Sequence, residues 1–171
     1  VNEWMGGMFG RMAGRFSHFA VAASRMALTE SRLGLGQTEI PPDRIKVSFG
    51  SSMSGVVDVV EKTFTSFLRG DKVLPWTVIE FPIHAATSHV TAEAGAQGHM
   101  ASFATACCAG LDAVEWAAEQ IHHGTASAVV AGGTDAPLSA YSLTAFYASN
   151  TLSTWQGSPE KASRPFDRHR S

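Results

Sequence analysis

Charge is scarce in this chain, and neither sign dominates. Asp, Glu, Lys and Arg make up only 16% of the 171 residues, 13 basic against 15 acidic. Nucleic acid demands a basic footprint and an anionic membrane surface a polybasic segment, so neither is an expected partner. Cysteine is nearly absent as well. Cys107 and Cys108 are neighbours and cannot staple a loop, which excludes a disulfide scaffold. Long apolar runs are missing. The longest stretches free of those charged types, 94–111 and 136–159, are broken by Gly, Ser, Thr, His or Pro and do not read as membrane spans. No basic segment followed by an apolar run opens the chain at Val1, so no signal peptide is expected and the expected location is the cytoplasm.

What is present suffices for a packed core, since 44% of the residues are hydrophobic. The length bounds the chain to one domain or a piece of one. Phe16, Phe19, Ala20, Ala23, Met26 and Ala27 recur at helical spacing, and Gly34 and Gly36 should stop that helix. Ile45, Val47 and Phe49 alternate as a strand closed by Gly50. Ser51, Ser52 and Ser54 then offer N-cap chemistry for a helix carrying Val56, Val59, Val60, Phe64 and Phe67. Val78, Ile79 and Phe81 suggest a short extended run before Pro82, and 85–95 a helix of small residues. Residues 100–106 read as a buried strand. The helix after it places Leu111, Val114, Ala118 and Ile121 on one face and stops at Gly124. Ala126–Ala131 reads as a buried strand ending in Gly132 and Gly133. The polar tail from Gly157 reads as solvated. Strands and helices alternate, so the expected class is α/β.

The stretch Phe103-Ala-Thr-Ala-Cys107-Cys108-Ala-Gly110 carries the chemistry. A strand ends, a cysteine stands at the turn and a helix begins. Unpaired N–H groups and the positive end of the helix dipole favour a thiolate there. Small neighbours leave room for a substrate and let the Cys107 N–H face a developing oxyanion. Inert packing is the competing reading, because free cysteines are often buried. For Cys108, which points elsewhere on the helix, packing is the better reading.

The segment Thr105-Ala106-Cys107-Cys108-Ala109-Gly110-Leu111-Asp112-Ala113 resembles the active-site segment of β-ketoacyl synthases. Gly124-Thr-Ala126, Val129-Val-Ala131-Gly132-Gly133-Thr134-Asp135, Thr151-Leu152-Ser153 and Ser163-Arg164-Pro165-Phe166-Asp167 are similar to the family's next landmarks. Upstream, Arg11-Met-Ala-Gly-Arg15-Phe16 is similar to the entry of its first long helix. The resemblance implies a thiolase-like α/β fold, of which residues 1–171 are most of the N-terminal half of a layered α-β-α-β-α architecture. It implies decarboxylative Claisen condensation with Cys107 as the acylated nucleophile. It places two histidines and a lysine of that chemistry in a second half beyond residue 171. It implies an acyl carrier protein as partner, with Arg11 and Arg15 as docking residues. Phe146 would line the acyl pocket, and a homodimer would form through the strand near 100–106. No bound cofactor and no metal are implied, since the phosphopantetheine arm belongs to the carrier protein.

Several other features have plainer readings. His123 precedes Gly124 and Thr125 as in a catalytic histidine motif, but it sits at the far end of the helix that Cys107 opens. A helix C-terminal position explains it. His84, His89 and His99 lack metal-ligand spacing. Asp112, Glu115 and Glu119 share one helical stripe that reads as a hydrated or inter-element face. Gly132 and Gly133 lack the company of a phosphate-loop motif and read as a tight turn. Thiolase, a non-catalytic partner subunit and a binding module with an inert thiol stand as alternatives to the synthase.

Overall fold

The alternating pattern of Ile45, Val47 and Phe49 is realised as the central strand of a parallel sheet. The computed structural model describes residues 13–33 and 39–170, which fall into two compact units that divide between Pro137 and Leu138. In the first unit β1 (Ile45–Gly50) lies between β2 (Met100–Phe103) and β3 (Ala128–Gly133). Val47 pairs in register with Met100 on one side and Val130 on the other.

All six residues of β1 are buried, and their side chains divide by the strand's period of two. Val47 and Phe49 join a core with Phe16, Ala20 and Val21 of α1 (Arg15–Ser31) and with Ala85, Ala86 and Val90 further along the chain. Lys46, Ser48 and Gly50 face the opposite layer. Ser48 Oγ donates to the Ala113 carbonyl at 2.8 Å. Lys46 Nζ reaches Gln120 at 2.8 Å and Thr125 at 3.1 Å, with the Trp116 ring 5.9 Å away.

Helix α1 has Gly14 at its N-cap, whose lack of a side chain leaves the first N–H groups without a local cap. Two distant carboxylates supply it. Glu80 Oε2 accepts from the Gly14 N–H at 3.1 Å, and Asp58 Oδ2 accepts from the Arg15 N–H at 2.6 Å. The helix ends at Ser31 with Arg32 in a left-handed conformation; Gly34 and Gly36, the expected stops, lie outside the described residues.

Between β1 and β2 run α2 (Val59–Leu68), the single turn α3 (Thr77–Glu80) and α4 (His84–Ala94). Here two expectations are corrected. Ser51, Ser52 and Ser54 cap no helix: a short turn spans Ser54–Val56 and α2 starts at Val59 without a side-chain cap. Val78 and Ile79 belong to α3, not to an extended run. So short an apolar run cannot fix a period; the helical turn instead buries Glu80 to 2% exposure against α1 and leaves Val78 and Ile79 exposed. The small-residue helix expected over 85–95 is α4.

Three further corrections concern the sheet's two edges and the helix packed on it. The strand expected over 100–106 ends at Phe103 and is not buried, because β2 is an edge of the sheet with exposed and half-buried residues alternating. β3 is the other edge and is half-buried. In α5 (Ala109–His122) the buried face is Ala109, Ala113 and Ala117, whereas Leu111, Val114 and Ile121 are 73%, 51% and 46% exposed. Small residues win the sheet face because they let the helix approach the backbone closely.

The second unit holds α6 (Ala140–Ala148), opened by a capping box of Ser139 and Ser142. Further on, Arg164 lies over the Trp155 ring at 4.5 Å, and Trp155 Nε1 donates to the Ser158 carbonyl at 2.9 Å. Most of this unit is exposed, as its polar tail suggested. Among the described residues no helix is long and apolar enough to cross a membrane.

Candidate active site

Parallel strands deliver their carboxyl ends to one side of a sheet, and in open α/β sheets ligands bind there. Three loops leave that side here: 51–54 after β1, 104–108 after β2 and 134–137 after β3. Cys107 stands in the second loop, within a single tight turn, Ala106–Cys108, that runs straight into α5. The strand–turn–helix junction expected from the sequence is therefore present, and both Cys107 and Cys108 are exposed. The exposure of Cys108 corrects its reading as a packing residue.

The turn is closed by two backbone bonds, Cys108 N–H to the Thr105 carbonyl at 3.2 Å and Ala109 N–H to the Ala106 carbonyl. Neither uses the Cys107 N–H. Ala106 has φ of 52°, a left-handed conformation that costs a non-glycine residue free energy and persists where the surroundings impose it. Ahead of it, the Thr105 hydroxyl donates to the Asp112 carboxylate in the first turn of α5. That bond supplies a partner for Asp112 that the sequence left unassigned, while Glu115 and Glu119 of the same stripe are exposed to solvent.

Glycine sets how close the neighbouring loops come. A Cβ on Gly50 would stand 2.1 Å from the Ala109 carbonyl carbon and oxygen, and one on Gly133 would stand 3.0 Å from Gly110 Cα. Gly133 thus serves close approach of α5 to the sheet, while Gly132 faces the Phe49 ring on the other side, and both lie in β3 instead of the tight turn expected for them.

Other sequence candidates fall elsewhere. His123 caps the C-terminus of α5, the end opposite Cys107, and Gly124 follows with φ of 66°. His89 Nε2 lies 2.5 Å from Glu80 Oε1, where it supports the carboxylate that caps α1. Among the described residues no group of three His, Cys, Asp or Glu side chains is placed to hold a metal. Arg15 is exposed, with its guanidinium 5.2 Å over the Phe19 ring; Arg11 lies outside the described residues. Phe146 is on α6 in the second unit and 42% exposed.

Sequence reasoning missed Asp135. Its Oδ1 accepts from Ser51 Oγ at 2.9 Å, Met53 N–H at 2.8 Å and Ser54 N–H at 3.2 Å, and its Oδ2 from Ser52 N–H at 2.7 Å. The available signal was a carboxylate just beyond a glycine pair at the end of a strand.

Comparison with known proteins gives this geometry its family. Residues 8–169 match the β-ketoacyl synthase N-terminal domain. The chain is 34% identical over 127 residues to the mitochondrial 3-oxoacyl-[acyl-carrier-protein] synthase of Arabidopsis thaliana, covering 73% of this chain and 28% of that protein. It is 36% identical over 146 residues to the tetracenomycin polyketide synthase ketoacyl synthase alpha subunit of Streptomyces glaucescens, covering 80% of this chain and 34% of that protein. A β-ketoacyl synthase crystal structure from Burkholderia phymatum superposes with a TM-score of 0.79 at 28% identity, covering 99% of this chain and 41% of that one. The chain thus spans about a third of the length of the curated relatives it matches. With the cysteine turn, the glycine-lined approach of α5 and the parallel sheet all falling inside the matched region, this chain belongs to the β-ketoacyl synthase family.

Proposed function

We propose that this chain is the nucleophile-bearing part of a β-ketoacyl synthase of fatty-acid or polyketide biosynthesis. The observation that carries the reading is the exposed Cys107 in the turn that opens α5. In the first step the Cys107 sulfur attacks the carbonyl of an acyl thioester. The carrier thiol leaves with the proton and the acyl group becomes a Cys107 thioester. The Cys107 N–H, not used in closing the turn, is a donor suited to the oxyanion that forms. In the second step a malonyl thioester loses carbon dioxide, and its carbanion attacks the Cys107 thioester. A carbon–carbon bond forms and the cysteine is released. Splitting one hard condensation into two steps is the gain of covalent catalysis.

The partner is an acyl carrier protein, supported by the name of the Arabidopsis relative. Arg11 and Arg15 are its docking residues by their place in the matching segment, and the exposure of Arg15 supports its part. Phe146 is assigned to the acyl pocket by sequence position and by its partly exposed ring. The free edge of β2 supports a homodimer in which that strand pairs with its copy, because an unpaired edge is a template for another strand. The cytoplasm is the proposed location.

The test is to incubate the protein with an acyl carrier protein thioester and map the acylated peptide by mass. Acylation at Cys107 that is abolished by Cys107→Ala is expected. Acylation mainly at Cys108, or none, would overturn the reading.

A further inference from the structure

We propose that Asp135 is a positioning residue for the acyl transfer at Cys107, acting through the 51–54 loop; the inference rests on Cys107 being the acyl acceptor. One carboxylate takes four hydrogen bonds from four consecutive residues, the Ser51 hydroxyl and the N–H groups of Ser52, Met53 and Ser54. The loop closes around it: Ser54 N–H also donates to Ser51 Oγ at 2.8 Å, and Ser54 is held at φ of 48°. Three N–H groups converging on one point make an anion-binding nest, and here the chain supplies its own anion.

The loop so held meets the cysteine segment on one side, and Gly50, the residue of β1 just before it, meets it on the other. Ser51 N–H donates to the Phe103 carbonyl at 3.0 Å, four residues ahead of Cys107. Gly50 lies against the carbonyl of Ala109, two residues beyond Cys107. The anchor itself is fixed, because Thr134 N–H donates to the Gly50 carbonyl at 2.9 Å and Thr134 Oγ1 to the Phe16 carbonyl at 2.6 Å. Asp135 therefore ties the end of β3 to the loop after β1, and that loop, with Gly50 next to it, meets the two ends of the segment containing Cys107. The strained Ala106 within this segment needs such surroundings to hold its conformation. Asparagine at 135 would keep the size but turn an NH2 group toward at least one N–H that now donates to oxygen.

The test compares two reactions of the same sulfur in the full chain. Acylation by a thioester needs the oxyanion donor in place, whereas alkylation by iodoacetamide needs only an accessible thiolate. For Asp135→Asn the expected result is acylation of Cys107 slowed roughly 10- to 100-fold, the scale of a small misplacement of reacting groups, with its alkylation rate close to the parent's. The control Leu28→Ala removes buried bulk beside Ile45, at the opposite end of the sheet from the 51–54 loop, and should lower the melting temperature without changing the ratio of the two rates. If Asp135→Asn does not fold, Ser51→Ala removes one donor and should move the ratio in the same direction by less. An unchanged ratio in the folded Asp135→Asn protein, or in Ser51→Ala, would overturn the inference while leaving the role of Cys107 intact. Failure of the parent to acylate at Cys107 would overturn the functional reading and the inference with it.

Discussion

Gly50 and Ala109 touch backbone to backbone: a methyl group on Gly50 would lie 2.1 Å from the Ala109 carbonyl and 2.5 Å from the Gly110 nitrogen. The end of β1 and the first turn of α5 are in contact because one of the two positions has no side chain.

Gly50→Ala should therefore destabilise the fold by about 1–3 kcal/mol or more, the cost of forcing atoms into a packed region. Gly110→Ala is the comparison, since its methyl would meet Gly133 Cα at an ordinary 3.4 Å. Denaturant midpoints of the two variants should separate clearly, with Gly110→Ala near the parent.

Glu80 joins the start of α1 to α4, meeting the Gly14 N–H and the Ser17 hydroxyl on one side and the His89 ring on the other. Glu80→Ala strands a buried donor at the start of α1 and should cost about 1–3 kcal/mol. Glu80→Gln, which keeps an acceptor, should cost less. Urea unfolding of both variants checks the order.

Arg25 and Glu93 form a two-pronged ion pair between α1 and α4, with contacts of 2.6 and 2.8 Å. The hydrogen bond to Glu93 is the main cause that raises the Arg25 guanidinium above its ordinary pKa. A raised folded-state value stabilises below the unfolded pKa, so the contribution persists through neutral and acid pH for as long as Glu93 stays ionised. Both side chains are about a third exposed, so a double-mutant cycle should give only about 0.2–1 kcal/mol, falling as salt is added.

The two faces of α5 should respond in opposite ways. Leu111→Gln, at a position 73% exposed, should change stability by no more than about 0.5 kcal/mol. Ala113→Leu, at a fully buried position on the sheet face, should cost about 1–3 kcal/mol through overpacking. Thermal melts that reversed this order would mean that α5 packs through its larger side chains.

Much of this architecture was legible in the sequence. The alternation of Ile45, Val47 and Phe49 marks β1, because a strand's period is local. Small residues around Cys107 followed by a helical pattern mark the junction that exposes it. The same locality explains the failures. Val78 and Ile79 offer too few positions to separate one period from another, and helical spacing alone could not say which face of α5 meets the sheet. A rule that larger apolar side chains go inward chose Leu111, Val114 and Ile121; the close approach to Gly50 and Gly133 chose Ala109, Ala113 and Ala117.

By itself the sequence determined the α/β class, the place of the three sheet strands along the chain and the place of Cys107 between a strand and a helix. Each of these follows from residues within a few positions of one another. Only the tertiary structure decided which carboxylate serves which backbone. Asp135 meets donors 81 to 84 residues away, Glu80 the Gly14 N–H 66 residues away and Asp58 the Arg15 N–H 43 residues away. Nothing in the neighbourhood of an aspartate announces that its partner is an unpaired N–H in another part of the chain. Such pairs exist because buried N–H groups must find acceptors once the helices and strands have packed, and packing alone brings them within reach.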